Sequence, residues 1–185
     1  MTKLRDDTLN THHSLGGSVL SRRQVVMAAA GCMATMAGVP ASAGSPAKGD
    51  AIDFPSLLLI DGSRLEPTDW KGHAGVIVFW STDCPYCKRH NARLEKLYRS
   101  IRARGSDLQV LGIATDDDAK LVRNHLAAND WNFPVALAPP GLRSKFTDRR
   151  LVPMTILIDR QGRLQLAIPG EMTEEDLLSI GQKLG

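Results

Sequence analysis

The chain has 185 residues, 43% of them hydrophobic and 5% aromatic, with 23 Lys and Arg against 20 Asp and Glu for a formal net charge of +3, and three cysteines. That length suffices for one domain of ordinary size and leaves little room for a second. The near balance of charge argues against a nucleic-acid binder, and the odd cysteine count argues against a fully paired disulfide scaffold.

In chain order, residues 1–21 are polar and lack a sustained apolar period. Ser21-Arg22-Arg23 then leads into an Ala- and Gly-rich apolar run, Val25 to Val39, followed by Pro40 and Ala41-Ser42-Ala43. Basic region, apolar region and A-x-A site in this order predict an export signal covering residues 1–43, cleaved after Ala43. The run is shorter than the ~18 residues of a bilayer span. The adjacent arginines resemble a twin-arginine signal. A general secretory signal is one alternative, and lipidation at Cys32, which follows Ala30-Gly31, is another. Removing the segment leaves a nearly neutral chain with two cysteines, Cys84 and Cys87, and destines it for the periplasm.

Residues 44–52 read as a linker, and 53–185 as the folded domain. Leu57 to Ile60 predicts a short strand ending at Asp61-Gly62. Val76 to Trp80 lacks alternation, the pattern of a strand buried on both faces. From Pro85, Leu94, Leu97, Tyr98 and Ile101 recur at helical spacing until Gly105. Leu108 to Ala114 is a second buried strand, and Asp116-Asp117-Asp118 caps a helix bearing Leu121, Val122 and Leu126. Met154 to Ile158 turns through Asp159-Arg160-Gln161-Gly162 into Leu164 to Ile168, and Thr173 opens a last helix. The sum is an α/β domain with a mixed central sheet flanked by helices.

The chemistry-bearing stretch is Trp80-Ser81-Thr82-Asp83-Cys84-Pro85-Tyr86-Cys87. It places Cys84 at a helix N-terminus, where free backbone N–H groups and the helix dipole favour a thiolate, the nucleophile of disulfide exchange. Cys87, one turn on, is within reach of a mixed disulfide on Cys84. Pro85 suits the first helical turn. Half of a zinc site and a purely structural disulfide are the other readings. No second cysteine pair supports the first, and so small a loop gains little from the second.

Strand, W-x-x-x-C-P-x-C, helix and, far downstream, Val152-Pro153-Met154-Thr155-Ile156-Leu157-Ile158-Asp159 resemble the thioredoxin superfamily, in particular its TlpA-like branch of exported thiol–disulfide oxidoreductases. The likeness covers about residues 53 to 184 and includes Asp61-Gly62, Trp70-Lys71-Gly72 and Phe133-Pro134-Val135. It implies a thioredoxin fold, a disulfide couple of Cys84 with Cys87, a cis-proline at Pro153 facing Cys84, and backbone pairing of Val152 with an extended substrate. Protein thiols and disulfides would be the substrates and a membrane-bound redox partner the electron donor. The expected state is a monomer without cofactor, metal or nucleic acid.

Trp80, Pro85, Tyr86 and His90 are candidates for tuning the couple. Val78 stands where thioredoxins carry a buried Asp, and His90 stands where many TlpA-like proteins carry a Glu. His90 reads first as a partly exposed surface histidine, and otherwise as an imidazolium that stabilises a thiolate. Asp83 opposes thiolate formation while Lys88 and Arg89 favour it. Arg143, Lys145, Arg149 and Arg150 read as a solvated helix face, or else as a basic rim near the dithiol. The leading function is reduction of protein disulfides. An oxidant of thiols, a Cu(I) chaperone using Cys84, Cys87 and His90, and a thiol peroxidase are the competitors.

Overall fold

The structure, a computed structural model, describes residues 46–184. The expected signal with its cleavage point and Cys32 lies outside the described residues.

Leu57–Leu58 (β1) and Arg64–Leu65 (β2) form a short antiparallel hairpin. The strand expected over Leu57 to Ile60 stops early because the turn claims its end: Leu59 N–H bonds the Ser63 carbonyl, and Asp61 Oδ1 accepts the Ser63 N–H at 2.9 Å.

Gly75–Trp80 (β3) is buried along its whole length. Its side chains alternate between two cores, as the two-residue period of a strand requires. Val76, Val78 and Trp80 pack with Leu94, Leu97 and Leu177, while Ile77 and Phe79 pack with Phe54, Trp70 and Phe146. Each such apolar side chain, fully buried, is worth about 1.5–3 kcal/mol. Pro85–Ala103 (α1) follows and ends before Gly105, whose φ of +66° suits a residue without Cβ.

Gln109–Ala114 (β4) runs parallel to β3, and Ala119–Ala128 (α2) begins at Asp118, whose side chain accepts the Lys120 N–H at 2.7 Å. Val135–Leu137 (β5) adds a parallel edge to β4; at three residues it is too short to carry a legible period. Met154–Ile158 (β6) pairs antiparallel with β3, and Leu164–Pro169 (β7) pairs antiparallel with β6. Glu174–Leu184 (α3) closes the domain against α1. The sheet order β5-β4-β3-β6-β7 makes a mixed sheet, with the α/β architecture expected.

Arg143 to Arg150 is no helix face: only Arg143–Lys145 winds, as a single 3-10 turn. The chain is held otherwise because the Arg143 guanidinium folds back, lying 5.0 Å from the Phe79 ring centroid and donating to the carbonyls of Arg149 and Leu151.

Candidate active site

β3 delivers the chain to the dithiol and β4 holds the connecting loop. Thr115 N–H and Oγ1 both donate to the Trp80 carbonyl, and Asp116 accepts the Thr82 N–H at 3.1 Å and its hydroxyl at 2.5 Å. Asp116 was expected only as part of a capping run. Asp118 does the capping, and Asp116 fixes the approach to Cys84 from the adjacent strand end. The register that pairs Trp80 with Ala114 brings it there, a relation that only the sheet topology reveals.

Cys84 is the N-cap of α1 in extended conformation, and its Sγ accepts the Cys87 N–H at 3.1 Å. Cys84 and Cys87 are disulfide-bonded, with Cα atoms 5.2 Å apart. Cys84 is half-buried and Cys87 fully buried, so an incoming group meets Cys84 first. Upon reduction, the same N–H and the N-terminal end of the 19-residue α1 favour negative charge on Cys84 over Cys87.

Pro85 occupies the first helical position, and Tyr86 is 61% exposed beside the disulfide. The Arg89 guanidinium sits 4.8 Å from the Tyr86 ring centroid and grips Glu171 with Nε and Nη2, the shorter bond being 2.7 Å. That bond, with Arg93 on the other oxygen, holds the Glu171 carboxyl below its ordinary pKa. Trp80 is fully buried, with Trp131 edge-on at 6.1 Å. Its Nε1 and the buried side chain of Asn91, one turn past Cys87, have no hydrogen-bond partner among the described residues.

The Val152–Pro153 peptide bond is cis. The Val152 carbonyl oxygen lies 3.8 Å from Cys84 Sγ, so two segments 68 residues apart meet at the reacting sulfur. Neither the N–H nor the C=O of Val152 is taken by another backbone group among the described residues, whereas the Pro153 carbonyl accepts the Gly170 N–H. Those free groups can pair with an extended chain. Cavities flank Val152 on two sides. One, of about 350 Å³, is lined by Tyr86, Leu151, Pro153, Gly170 and Glu171; the other, of about 600 Å³, includes Ser81, Arg143, Ser144, Thr147 and Arg150. A larger space of about 790 Å³ beside the β1–β2 hairpin is lined by neither cysteine.

His90 corrects the sequence reading. It is fully buried, not partly exposed: Nδ1 accepts the Met172 N–H at 3.1 Å and Nε2 lies 3.2 Å from Thr155 Oγ1. An acceptor at Nδ1 places the neutral ring's proton on Nε2, which donates to Thr155. Burial, reinforced by the Arg93 charge, lowers its pKa to about 4, so the ring is no imidazolium at neutral pH. With both nitrogens engaged, His90 also has no lone pair to offer a metal beside the cysteines. Among the described residues, no group of three or more His, Cys, Asp or Glu is arranged to hold a metal ion.

A sequence model of the Redoxin family matches residues 42–184. The thiol-disulfide oxidoreductase ResA of Bacillus thuringiensis subsp. konkukian is 29% identical over 134 residues, which cover 71% of this chain and 76% of that protein. A thiol:disulfide interchange protein of the thioredoxin family from Chlorobium tepidum TLS superposes with a TM-score of 0.67 at 23% identity, covering 76% of this chain and 99% of the other. A secreted Mycobacterium tuberculosis disulfide oxidoreductase, homologous to E. coli DsbE, superposes with a TM-score of 0.61 at 16% identity, covering 70% and 95%. At these identities the two structures bear on the fold, which is that of thioredoxin.

Proposed function

The chain belongs to the Redoxin family and is a thioredoxin-like thiol–disulfide oxidoreductase, and on that premise we propose that Cys84 and Cys87 form the redox couple of a periplasmic enzyme that reduces disulfides in proteins. The observation that carries this reading is the half-buried Cys84 sulfur at the start of α1, 3.8 Å from the carbonyl of Val152.

In the reduced enzyme the Cys84 thiolate attacks one sulfur of a substrate disulfide. A Cys84–substrate bond forms and the first substrate thiolate leaves, taking a proton from solvent. Cys87 then loses its proton, attacks Cys84 Sγ, and releases the second substrate thiol. Two electrons pass to the substrate, and the enzyme ends in the Cys84–Cys87 disulfide form. Val152 holds the substrate strand by backbone pairing and Pro153 shapes the edge it lies on, while Trp80, Pro85 and Tyr86 frame the dithiol. His90 acts at a distance, clamping α1 to β6. A membrane-bound dithiol donor returns the enzyme to its reduced form, and the enzyme works as a monomer.

Periplasmic location is supported by the pattern from Ser21 to Ala43, read as a twin-arginine signal. No helix among the described residues is long and apolar enough to cross a membrane. A mature amino terminus at Gly44, read by mass spectrometry, is expected; a lipid on Cys32 would place the enzyme on the membrane surface instead. The function itself is tested by reduction of insulin disulfides with dithiothreitol as donor. The protein should accelerate it and Cys84→Ser should not; undiminished activity in that variant would remove the proposal.

A further inference from the structure

Two guanidinium groups line the 600 Å³ cavity beside Val152, and none of Arg143, Arg149 and Arg150 forms an ion pair among the described residues. Lys145, from the same stretch, is matched by Asp53 at 2.8 Å. Arg143 is partly desolvated and feels the charge of Arg150, both of which disfavour its cation. Like charges held together form a pocket whose electrostatics an anion would relieve; the Ser81 and Ser144 hydroxyls on its lining already donate to Asp83 and to the Gly141 carbonyl, which leaves the anion to the guanidinium groups. Asp148 is the one carboxylate on the lining, and it is exposed.

Position gives this charge a use. Ser81 and Val152 border both the cavity and the approach to Cys84, and the free backbone groups of Val152 are where an extended substrate would run. Val152 lines the cavity and its carbonyl lies 3.8 Å from Cys84 Sγ, and an extended chain advances ~3.3 Å per residue, so the cavity falls within reach of a side chain one or two residues from a cysteine bound at Cys84. The other cavity beside Val152 is differently lined, with Leu151 62% and Tyr86 61% exposed and its one carboxylate, Glu171, already paired with Arg89 and Arg93.

We propose that this cavity selects substrates, binding an Asp or Glu side chain one or two residues from the disulfide cysteine of an extended protein segment. The proposal rests on the disulfide-reducing reading above. Arg150, on the exposed side, makes the selective contact. Arg143, fastened to the Arg149 and Leu151 carbonyls, supplies fixed charge behind it.

The test uses disulfide-linked peptides identical except for Glu, Gln or Lys at the positions flanking the cysteine. Second-order rate constants for their reduction by the reduced protein should favour Glu over Gln by about tenfold, with Lys slowest. That ratio should fall toward one in Arg150→Gln, invert toward Lys in Arg150→Glu, and shrink at high salt. Equal rates for Glu and Gln peptides, or a preference that survives Arg150→Glu, would overturn the proposal. A second arm measures binding of the same peptides with Ser in place of Cys. Failure to reduce any peptide would count against the redox reading alone, because tighter binding of the Glu peptide would still support the carboxylate site. Equal binding of Glu and Gln peptides would overturn it.

Discussion

Thr155 Oγ1 lies 3.2 Å from His90 Nε2, a fully buried polar pair that ties the helix carrying the dithiol to the strand that leaves Pro153. The other ring nitrogen secures Met172, just past the β7 end, so one neutral imidazole joins three segments around the site. Its folded pKa of about 4 lies below the ordinary 6.5. The unfolded chain therefore binds the extra proton first. Stability from this group is fully present above pH 6.5 and is lost as pH falls from there toward 4, by on the order of 3 kcal/mol. Urea denaturation across that range should show the loss. In His90→Gln the slope over this window should flatten, although the variant is less stable at pH 7. An unchanged slope would mean that another group sets it.

Cys84 and Cys87 should fail in different ways. Cys84→Ser loses the half-buried nucleophile and should form no mixed disulfide. Cys87→Ser keeps it and should accumulate a covalent complex with substrate, since the fully buried resolving sulfur is gone. Non-reducing gels with a disulfide-containing protein separate the two outcomes.

Asp116 accepts both the N–H and the hydroxyl of Thr82, two residues before Cys84. Asp116→Ala should cost about 1.5–3 kcal/mol, the usual worth of hydrogen bonds to a charged group, and should loosen the loop. Faster amide exchange at Thr82, with exchange in the middle of β3 little changed, would show that the effect is local.

Glu95, 5% exposed on α1, accepts the N–H groups of Asn132 and Phe133 and pairs with Arg99. Glu95→Ala would strand two backbone donors and is expected to destabilise by about 3 kcal/mol. Because it anchors the turn before β5 and not the dithiol, the cysteine potential should hardly move; equilibration with a thiol buffer checks this.

Much of the fold is legible in the sequence. The buried runs Val76 to Trp80 and Leu108 to Ala114, the helix start at Pro85 and the Asp159 to Gly162 turn are local patterns, and each appears in place. The approach of Val152 to Cys84 was legible only as an implication of the likeness to thioredoxins, since the two residues lie 68 apart in the chain. His90 was not: it stands four residues before Leu94 and seven before Leu97, in line with the apolar stripe, but nothing local shows that Thr155 and the Met172 N–H satisfy a buried ring there. Nor was Asp116, one of three identical residues whose roles diverge with the sheet register. The Arg143 stretch looked helical by composition, yet side-chain bonds to its own carbonyls hold it otherwise.

The reduction potential of the Cys84–Cys87 couple, measured by equilibrating the protein with dithiothreitol or glutathione buffers, bears most directly on the central claim. A reductant of protein disulfides should show a single two-electron transition at about −270 mV. A transition at about −120 mV would make the protein a donor of disulfides and contradict the account.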